Sequence, residues 1–194
     1  PTQFTLIPDP EWVENTQKRL PHNRKNTRVG IHISAREASR RWPYEKFCQL
    51  IKNLSRDKDL EFMIFWSPGE EAAPLHPGDD VNAESLIKSL TGYPVLPFPT
   101  TELGELIGGL ACCEYIICID SGILHLAAAL QKPIVGLFEN LPHKYLCWYP
   151  WGVPNRVIYG QTPPVASIEV SNVEKAFIDL KSEVTKAKEL RFLA

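Results

Sequence analysis

Six short apolar segments alternate with helical patterns along this chain, and this alternation constrains the fold more than any other feature. The strongest segments are RVGIHIS, EFMIFW, YIICI and PIVGLF, and weaker ones lie at about 94–97 and 156–159. Strands that are apolar throughout are buried on both faces, as in parallel sheets covered by helices. The pattern therefore predicts an α/β fold with a doubly wound parallel sheet.

Helical periodicity and capping residues occupy the intervals between these strands. Asp9 is a suitable N-cap for the first helix, and Ser171 with Glu174 has the spacing of a capping box for the last. The predicted helices cover 9–20, a stretch ending at Leu54, 83–90, 101–111, 121–130 and 171–188. A chain of 194 residues suits one buried core. We therefore predict a single domain at 25–194, preceded by a linker helix and lead-in at 1–24.

Charge and cysteine content argue against several classes of function. The formal net charge of −2 provides no global field that would attract nucleic acid. No run of about 18 apolar residues occurs, which predicts a soluble chain. The five cysteines are odd in number and lack the spacing of a zinc site. They indicate reduced core thiols in a cytosolic protein.

Ligands of an open parallel sheet bind beyond the carboxyl ends of its strands, so the residues that follow each strand are the site candidates. The candidate segments are His32-Ile33-Ser34-Ala35 with Arg40-Arg41-Trp42-Pro43, Ser67-Pro68-Gly69-Glu70-Glu71, Asp120-Ser121-Gly122 with His125, and Glu139-Asn140.

The segment ICIDSGILHLAAAL has the strongest functional signal. Ser121 can cap the helix that follows, and Gly122 lets a ligand approach the N–H groups at the helix start, where the dipole favours an anion such as phosphate. His125 lies one turn further along the same face. The alternative is a plain capped helix with a packed histidine.

The loop after the first strand supplies positive charge. We expect either Arg40 or Arg41 to face the anion, and Ser34 to add a hydroxyl and backbone donors. Trp42 is expected to pack rather than to stack on a base. After the second strand, Glu70 can accept hydrogen bonds from ribose hydroxyls. The alternatives are a solvated arginine patch and acidic residues that only satisfy a helix dipole.

Several motifs of other nucleotide-dependent enzymes are absent. The sequence has no GxGxxG after the first strand, no GxxxxGK[ST] and no GxSxG. These absences argue against hydride transfer, phosphoryl transfer and α/β-hydrolase chemistry. Asp57-Lys58-Asp59 has the form of a metal-binding DxD, but it precedes a strand at the opposite edge of the sheet. We predict a turn there and no metal site.

In order, spacing and residue type, these segments resemble glycosyltransferase family 9, the bacterial heptosyltransferases of the lipopolysaccharide inner core. The resemblance covers nearly the whole chain, including VGIHISA, RRWPYEKF, FWSPGEE and CIDSGILHLAAAL. It implies the C-terminal, nucleotide-sugar-binding lobe of a GT-B enzyme, which has two Rossmann-like lobes.

The resemblance also implies roles for individual positions. By this resemblance, Glu70 holds the nucleoside and Thr101 lies near the base pocket. Contacts with the diphosphate and the sugar fall to Asp120, Ser121, Gly122 and His125. Arg40 stands where the family usually has a phosphate-binding lysine, which keeps the charge but changes the geometry. The implied donor-binding residues are Ser34, Ala35, Arg40, Glu70, Thr101, Asp120, Ser121, Gly122 and His125.

The implied activity is inverting, metal-independent heptosyl transfer from a nucleoside diphosphate sugar to a lipid-linked lipopolysaccharide core. ADP-heptose is the expected donor, and no cofactor is expected. The acceptor site and the general base, an aspartate, are expected in an N-terminal lobe of the same polypeptide, so the chain alone is expected to be inactive. The intact enzyme is expected in the cytoplasm, peripheral on the inner face of the inner membrane.

The chain departs from the family pattern after the fifth strand, where Glu139-Asn140 replaces Gly-Pro. Aromatic residues follow, and they either reshape the sugar pocket or, as we favour, pack on the other lobe. They are Tyr145, Trp148, Tyr149 and Trp151.

Two other functions stay open. One is a lobe of a sugar-nucleotide 2-epimerase, which ILHLAAAL disfavours because those enzymes continue with glycine and paired glutamates. The other is a noncatalytic nucleotide-sugar-binding module.

Overall fold

A computed structural model of the chain describes residues 4–21, 27–70 and 77–192. The strands are β1 (Thr27–His32), β2 (Leu60–Trp66), β3 (Val95–Pro99), β4 (Tyr115–Ile119), β5 (Ile134–Phe138) and β6 (Asn155–Tyr159). The α-helices are α1 (Pro10–Arg19), α2 (Tyr44–Leu54), α3 (Asp80–Ser89), α4 (Leu103–Ala111), α5 (Gly122–Ala129), α6 (Pro142–Trp148) and α7 (Val170–Phe192). Short 3-10 helices span Ala38–Arg40 and Val165–Ser167.

The strands form one parallel sheet in the order β3-β2-β1-β4-β5-β6. β1 pairs with both β2 and β4, so the chain winds outward in one direction to β3 and in the other from β4 to β6. The predicted doubly wound parallel sheet is confirmed. The direction of winding reverses between β1 and β4, which makes their carboxyl ends the place where a crevice forms.

Helices cover both faces of the sheet, because alternate side chains of each strand point to opposite faces. Val29 and Ile31 of β1 pack in one core with side chains of α2, α3 and α7. Met63 and Phe65 of β2 pack in a second core with side chains of α4 and α5. All four of these strand side chains are fully buried.

α1 packs closely on α4, and two glycines make the approach possible. A Cβ at Gly108 would lie 2.4 Å from the carbonyl oxygen of Trp12, and one at Gly104 would lie 2.7 Å from the Trp12 Nε1. Asp9 caps α1 as predicted, since its carboxylate accepts a hydrogen bond from the Glu11 N–H. The helical part of the predicted linker therefore lies against the domain, while residues 22–26 are outside the described ranges.

In the second half of the chain, one predicted helix start is wrong and one helix was not predicted. The closing helix begins at Val170, so Ser171 lies inside its first turn and is not the N-cap. Val170 is buried in the core and the Glu169 carbonyl accepts the Asn172 N–H, which sets the start one residue earlier. The sequence also did not indicate α6, because its aromatic residues have no clear helical periodicity.

Most of the cysteines lie in the core, as the sequence predicts. Four of the five cysteines are buried and Cys147 is exposed, and no disulfide joins them within the described chain. Over the same ranges, no helix combines the length and the apolarity that crossing a bilayer requires.

A buried ion pair joins β1 and β2 near the amino end of the sheet. Arg28 of β1 and Glu61 of β2 lie opposite each other in register, and their side chains are only 2% and 11% exposed. Arg28 also donates to the carbonyl of Cys112 at 3.2 Å. Because both charges are desolvated, each needs the other to remain buried.

We expect Glu61→Gln to lower the free energy of unfolding by about 3 kcal/mol, since it leaves the Arg28 guanidinium buried without a counter-charge. Urea unfolding measures the change, and Glu84→Gln on the exposed face of α3 is the control, with an expected effect below about 0.5 kcal/mol. Equal losses in the two variants would contradict the buried ion pair as a source of stability.

Candidate functional site

A cavity of about 580 Å³ opens at the carboxyl ends of β1 and β4. This is the point at which the winding of the sheet reverses, so the loops that follow the two strands turn away from each other. The cavity brings together four of the residues predicted from the sequence. Its lining consists of His32, Ser34, Ala35, Arg36, Ser67, Pro77, Ser121, Gly122 and Ile123.

The start of α5 faces this cavity without a side-chain cap. Ser121 is the N-cap residue in extended conformation, but its hydroxyl makes no capping hydrogen bond. The hydroxyl oxygen is buried and has no partner among the described residues. A Cβ at Gly122 would meet no atom within 4 Å, so open space lies beside the first turn. The N–H groups and the positive end of the helix dipole are therefore available to an anion.

His32, the last residue of β1, contributes a buried imidazole to the cavity. The residue is 4% exposed, and its Nδ1 has no hydrogen-bond partner in the described chain. Burial lowers its pKa to about 4, so the ring is neutral near pH 7. The sequence placed His32 in a candidate segment without singling it out, because its loss of partners depends on the packing around it.

Ser34 joins the loops that follow β1 and β2. Its hydroxyl oxygen accepts a hydrogen bond from the Ser67 N–H at 3.0 Å. The hydroxyl hydrogen is left to donate, which suits a phosphate oxygen. Ala35 is buried next to it, and its carbonyl accepts a hydrogen bond from Arg41 Nε at 3.1 Å. Arg41 is thus directed at the protein backbone.

Arg40 is the arginine that lies beside the strand ends. Its Nη1 lies 3.5 Å from the Asp120 carbonyl oxygen, and its Nη2 lies 3.2 Å from the carboxylate of Glu37. Its Nε lies 3.5 Å from the carboxylate of Glu139, the residue after β5. Arg40 therefore links the loops that follow β1, β4 and β5.

Asp120 is buried, and charged groups lie around its carboxyl. Burial raises the pKa of its carboxyl, and the positive charges of Arg40 and Lys144 oppose that rise. His125, one turn into α5, opposes it as well. His125 does not line the cavity, and its exposed ring packs edge to face on Trp148 with centroids 5.9 Å apart.

Glu70 and Thr101 lie further along the same edge of the sheet, after β2 and β3. Both are exposed, and neither lines the cavity. The Glu70 carbonyl accepts the Gly78 N–H at 2.9 Å, and the Thr101 hydroxyl bonds to the carboxylate of Glu105 at 3.1 Å. Their predicted contacts with a nucleoside stay predictions, and Glu71 lies outside the described residues.

The DxD-like segment lies away from this edge, as predicted. Asp57 follows α2 in a turn before β2 and pairs with Lys181 of α7, which lowers the pKa of its carboxyl. Within the described ranges, no three residues of the types that ligate metals form a cluster.

Trp42 packs in the core as predicted, since it is 3% exposed and its Nε1 donates to the Ile168 carbonyl at 3.0 Å. The aromatic residues after β5 differ in their packing and exposure. Tyr145 stacks on Tyr159 with centroids 4.4 Å apart, while Trp148 and Trp151 are about half exposed. Packing of these residues on another lobe stays a prediction.

The fold is Rossmann-like, and the residues at the reversal point of its sheet form a candidate anion site. Residues 9–177 match the family described as Glycosyltransferase family 9 (heptosyltransferase). The match covers most of the chain. The chain therefore belongs to glycosyltransferase family 9.

Individual relatives agree with this assignment. The chain is 29% identical over 102 residues to lipopolysaccharide heptosyltransferase 2 of Escherichia coli K12, which covers 52% of the chain and 27% of the relative. It shares its fold with the solved E. coli ADP-heptose lipopolysaccharide heptosyltransferase II, at a TM-score of 0.72 and 21% identity over 93% of the chain and 54% of that structure. The chain thus spans about half the length of the solved relative.

The same fold occurs in a second class of enzyme. UDP-GlcNAc 2-epimerase from Methanocaldococcus jannaschii matches with a TM-score of 0.58 at 13% identity, over 87% of the chain and 42% of that structure. Sequence identity this low shows only a common fold. The fold therefore does not distinguish glycosyltransferases from 2-epimerases, and the residues of the site have to make that distinction.

Acidification should destabilise the protein through His32. The pKa of the ring is about 4 in the folded chain and about 6.5 in the unfolded one, so the unfolded chain takes up a proton first as the pH falls. The contribution of neutral His32 to the free energy of unfolding is fully present above about pH 6.5. It is lost progressively as the pH falls towards about 4. Between about pH 7 and about pH 5 we expect a loss of about 2 kcal/mol from this residue.

Urea unfolding of the wild type and of His32→Asn at both pH values measures this contribution. The wild type should lose about 2 kcal/mol more than the variant on acidification. Equal losses would show that the fold does not hold the imidazole neutral.

Proposed function

We propose that this chain is the donor-binding lobe of a heptosyltransferase that builds the lipopolysaccharide core. The observation that carries the proposal is the uncapped start of α5, which faces a cavity in a chain of this family. Arg40 does not line the cavity, but it lies next to the Asp120 carbonyl, just before this helix start. The name of the solved E. coli relative includes ADP-heptose, and we propose the same donor here.

The diphosphate of the donor would bind at the ends of β1 and β4. Backbone N–H groups at Gly122 and the hydroxyls of Ser34 and Ser121 would donate to its oxygens, and Arg40 would supply fixed charge. The departing nucleoside diphosphate gains negative charge in the transition state, and groups already in place stabilise it without reorganisation. This arrangement supports a reaction that proceeds without a metal ion.

The nucleoside would lie on the β2 and β3 side of this point. Glu70 would accept hydrogen bonds from the ribose hydroxyls, and the base would lie near Thr101. The sugar would extend the other way, towards α5 and α6, where Asp120 and His125 offer groups that hydrogen-bond to hydroxyls.

The acceptor and the general base would belong to a second lobe. Inversion at the anomeric carbon requires a base on the face of the sugar opposite the diphosphate, where an aspartate would remove the proton of the acceptor hydroxyl. We therefore propose that the chain alone binds the donor and transfers no sugar. The intact enzyme would act in the cytoplasm, at the inner face of the inner membrane, where its lipid-linked acceptor lies.

Calorimetric titration with ADP, GDP and UDP, each with and without EDTA, tests the proposal. Binding of ADP in preference to the others, unchanged by EDTA, is the expected result. A preference for GDP or UDP would overturn the ADP-heptose assignment, although the chain would still be a donor lobe. Failure to bind any of them would overturn the proposal that the chain alone binds the donor.

We expect Arg40→Ala to weaken ADP binding by about 1.5–3 kcal/mol, because it removes a charge-assisted hydrogen bond to phosphate. Asp57→Ala is the control, since Asp57 lies before β2 and pairs with Lys181, at the end of the sheet away from the cavity. Its ADP affinity should match that of the wild type. Equal ADP affinity in Arg40→Ala and the wild type would remove Arg40 from the phosphate site.

A further inference from the structure

Two cations from different elements meet at one carboxylate oxygen beside the proposed donor site. Glu139 follows β5, and its side chain is 7% exposed. Its Oε2 lies 3.5 Å from Arg40 Nε and 3.7 Å from Lys144 Nζ. Lys144 belongs to α6, a helix without a clear signal in the sequence.

Both cations make only long contacts with Glu139, although Arg40 also pairs with Glu37 at 3.2 Å. Charge-assisted N–H···O bonds are usually about 2.7–2.9 Å long, and both distances to Glu139 exceed that. The Arg40 Nε makes no hydrogen bond in the described chain. The side chains of Arg40 and Lys144 are 23% and 19% exposed, so each keeps part of its surface open to solvent.

The carboxylates in this group are shared unequally between the two cations. Arg40 has a second one, since the Glu37 carboxylate lies 3.2 Å from its Nη2. Among the described residues, Glu139 is the carboxylate within 4 Å of the Lys144 ammonium, at 3.7 Å. A ligand anion beside Lys144 would give this ammonium a closer counter-charge than Glu139 does.

The position of Lys144 indicates which part of the donor it would meet. Along the carboxyl edge, the proposed nucleoside site lies at β2 and β3, and the proposed diphosphate site lies at β1 and β4. Lys144 comes after β5, on the side away from the nucleoside. The phosphate nearest to it is therefore the one that carries the sugar.

We propose that Lys144 is a second phosphate-binding cation, which contacts the sugar-bearing phosphate, and that Glu139 is a counter-charge that competes with this phosphate for Lys144. This inference rests on the proposed function. Glu139 and Lys144 both lie in the segment that follows β5.

The test compares ADP with AMP, because AMP lacks the phosphate that Lys144 would contact. In calorimetric titration, Lys144→Met should weaken ADP binding about tenfold and leave AMP binding within about twofold of the wild type. Lys144→Arg, which keeps the charge, should restore most of the ADP affinity. Lys88→Met is the matched control, since Lys88 is exposed in the last turn of α3, and neither nucleotide should be affected.

Glu139→Gln tests whether the Glu139 carboxylate competes with a phosphate for Lys144 or only supports the fold. With the charge of Glu139 removed, the carboxylate that competes with a phosphate for Lys144 is gone. The variant should therefore unfold at a lower temperature but bind ADP at least as tightly as the wild type. Weaker ADP binding together with a lower unfolding temperature would show that Glu139 only supports the fold, and would overturn its assigned role.

Each remaining outcome has a distinct meaning. If the wild type binds ADP and Lys144→Met binds it equally well, the assignment of Lys144 is wrong while the proposed donor lobe stands. Equal losses for ADP and AMP in Lys144→Met would also overturn the assignment, because they would show a general disturbance of the site. If the wild type binds neither ADP, GDP nor UDP, the proposed function fails and this assignment fails with it.

Discussion

The parallel pairing of β1 with β4 at the centre of the sheet is the constraint on which the rest of the structure depends. Four residue pairs form this ladder, and the last of them places His32 beside Cys118. Because the two strands run in the same direction, their loops emerge at the same edge, and because the winding reverses there, these loops separate. The cavity, the exposed start of α5 and the position of Arg40 all follow from this geometry.

The electrostatics of the site follow from burial at this edge. Charges of both signs lie at the ends of neighbouring strands, and the low exposure of Glu139 makes its interactions stronger than at a solvated surface. Oriented N–H groups and partly exposed cations can receive an anion with little rearrangement. A preformed site of this kind suits the binding of a diphosphate better than a flexible loop would.

Fold and site contribute different information about function. The same sheet architecture occurs in a solved heptosyltransferase and in a solved 2-epimerase. The match of residues 9–177 to glycosyltransferase family 9 separates this chain from the epimerases. Trp148 of α6 contacts His125 of α5, so the aromatic segment lies against the helix whose start faces the cavity.

The sequence by itself determined the class of fold and the centre of the candidate site. An apolar run predicts a buried strand from local sequence alone. Residues 120–125 form a strand end and a helix start in one contiguous stretch, so local sequence was also enough to identify them as candidates. Only the tertiary structure decided which arginine lies at the strand ends, since Arg40 and Arg41 are adjacent and chemically alike. It alone revealed Lys144 and the unpaired His32, because contacts between elements distant in sequence determine a side chain's partners, and local periodicity does not encode them.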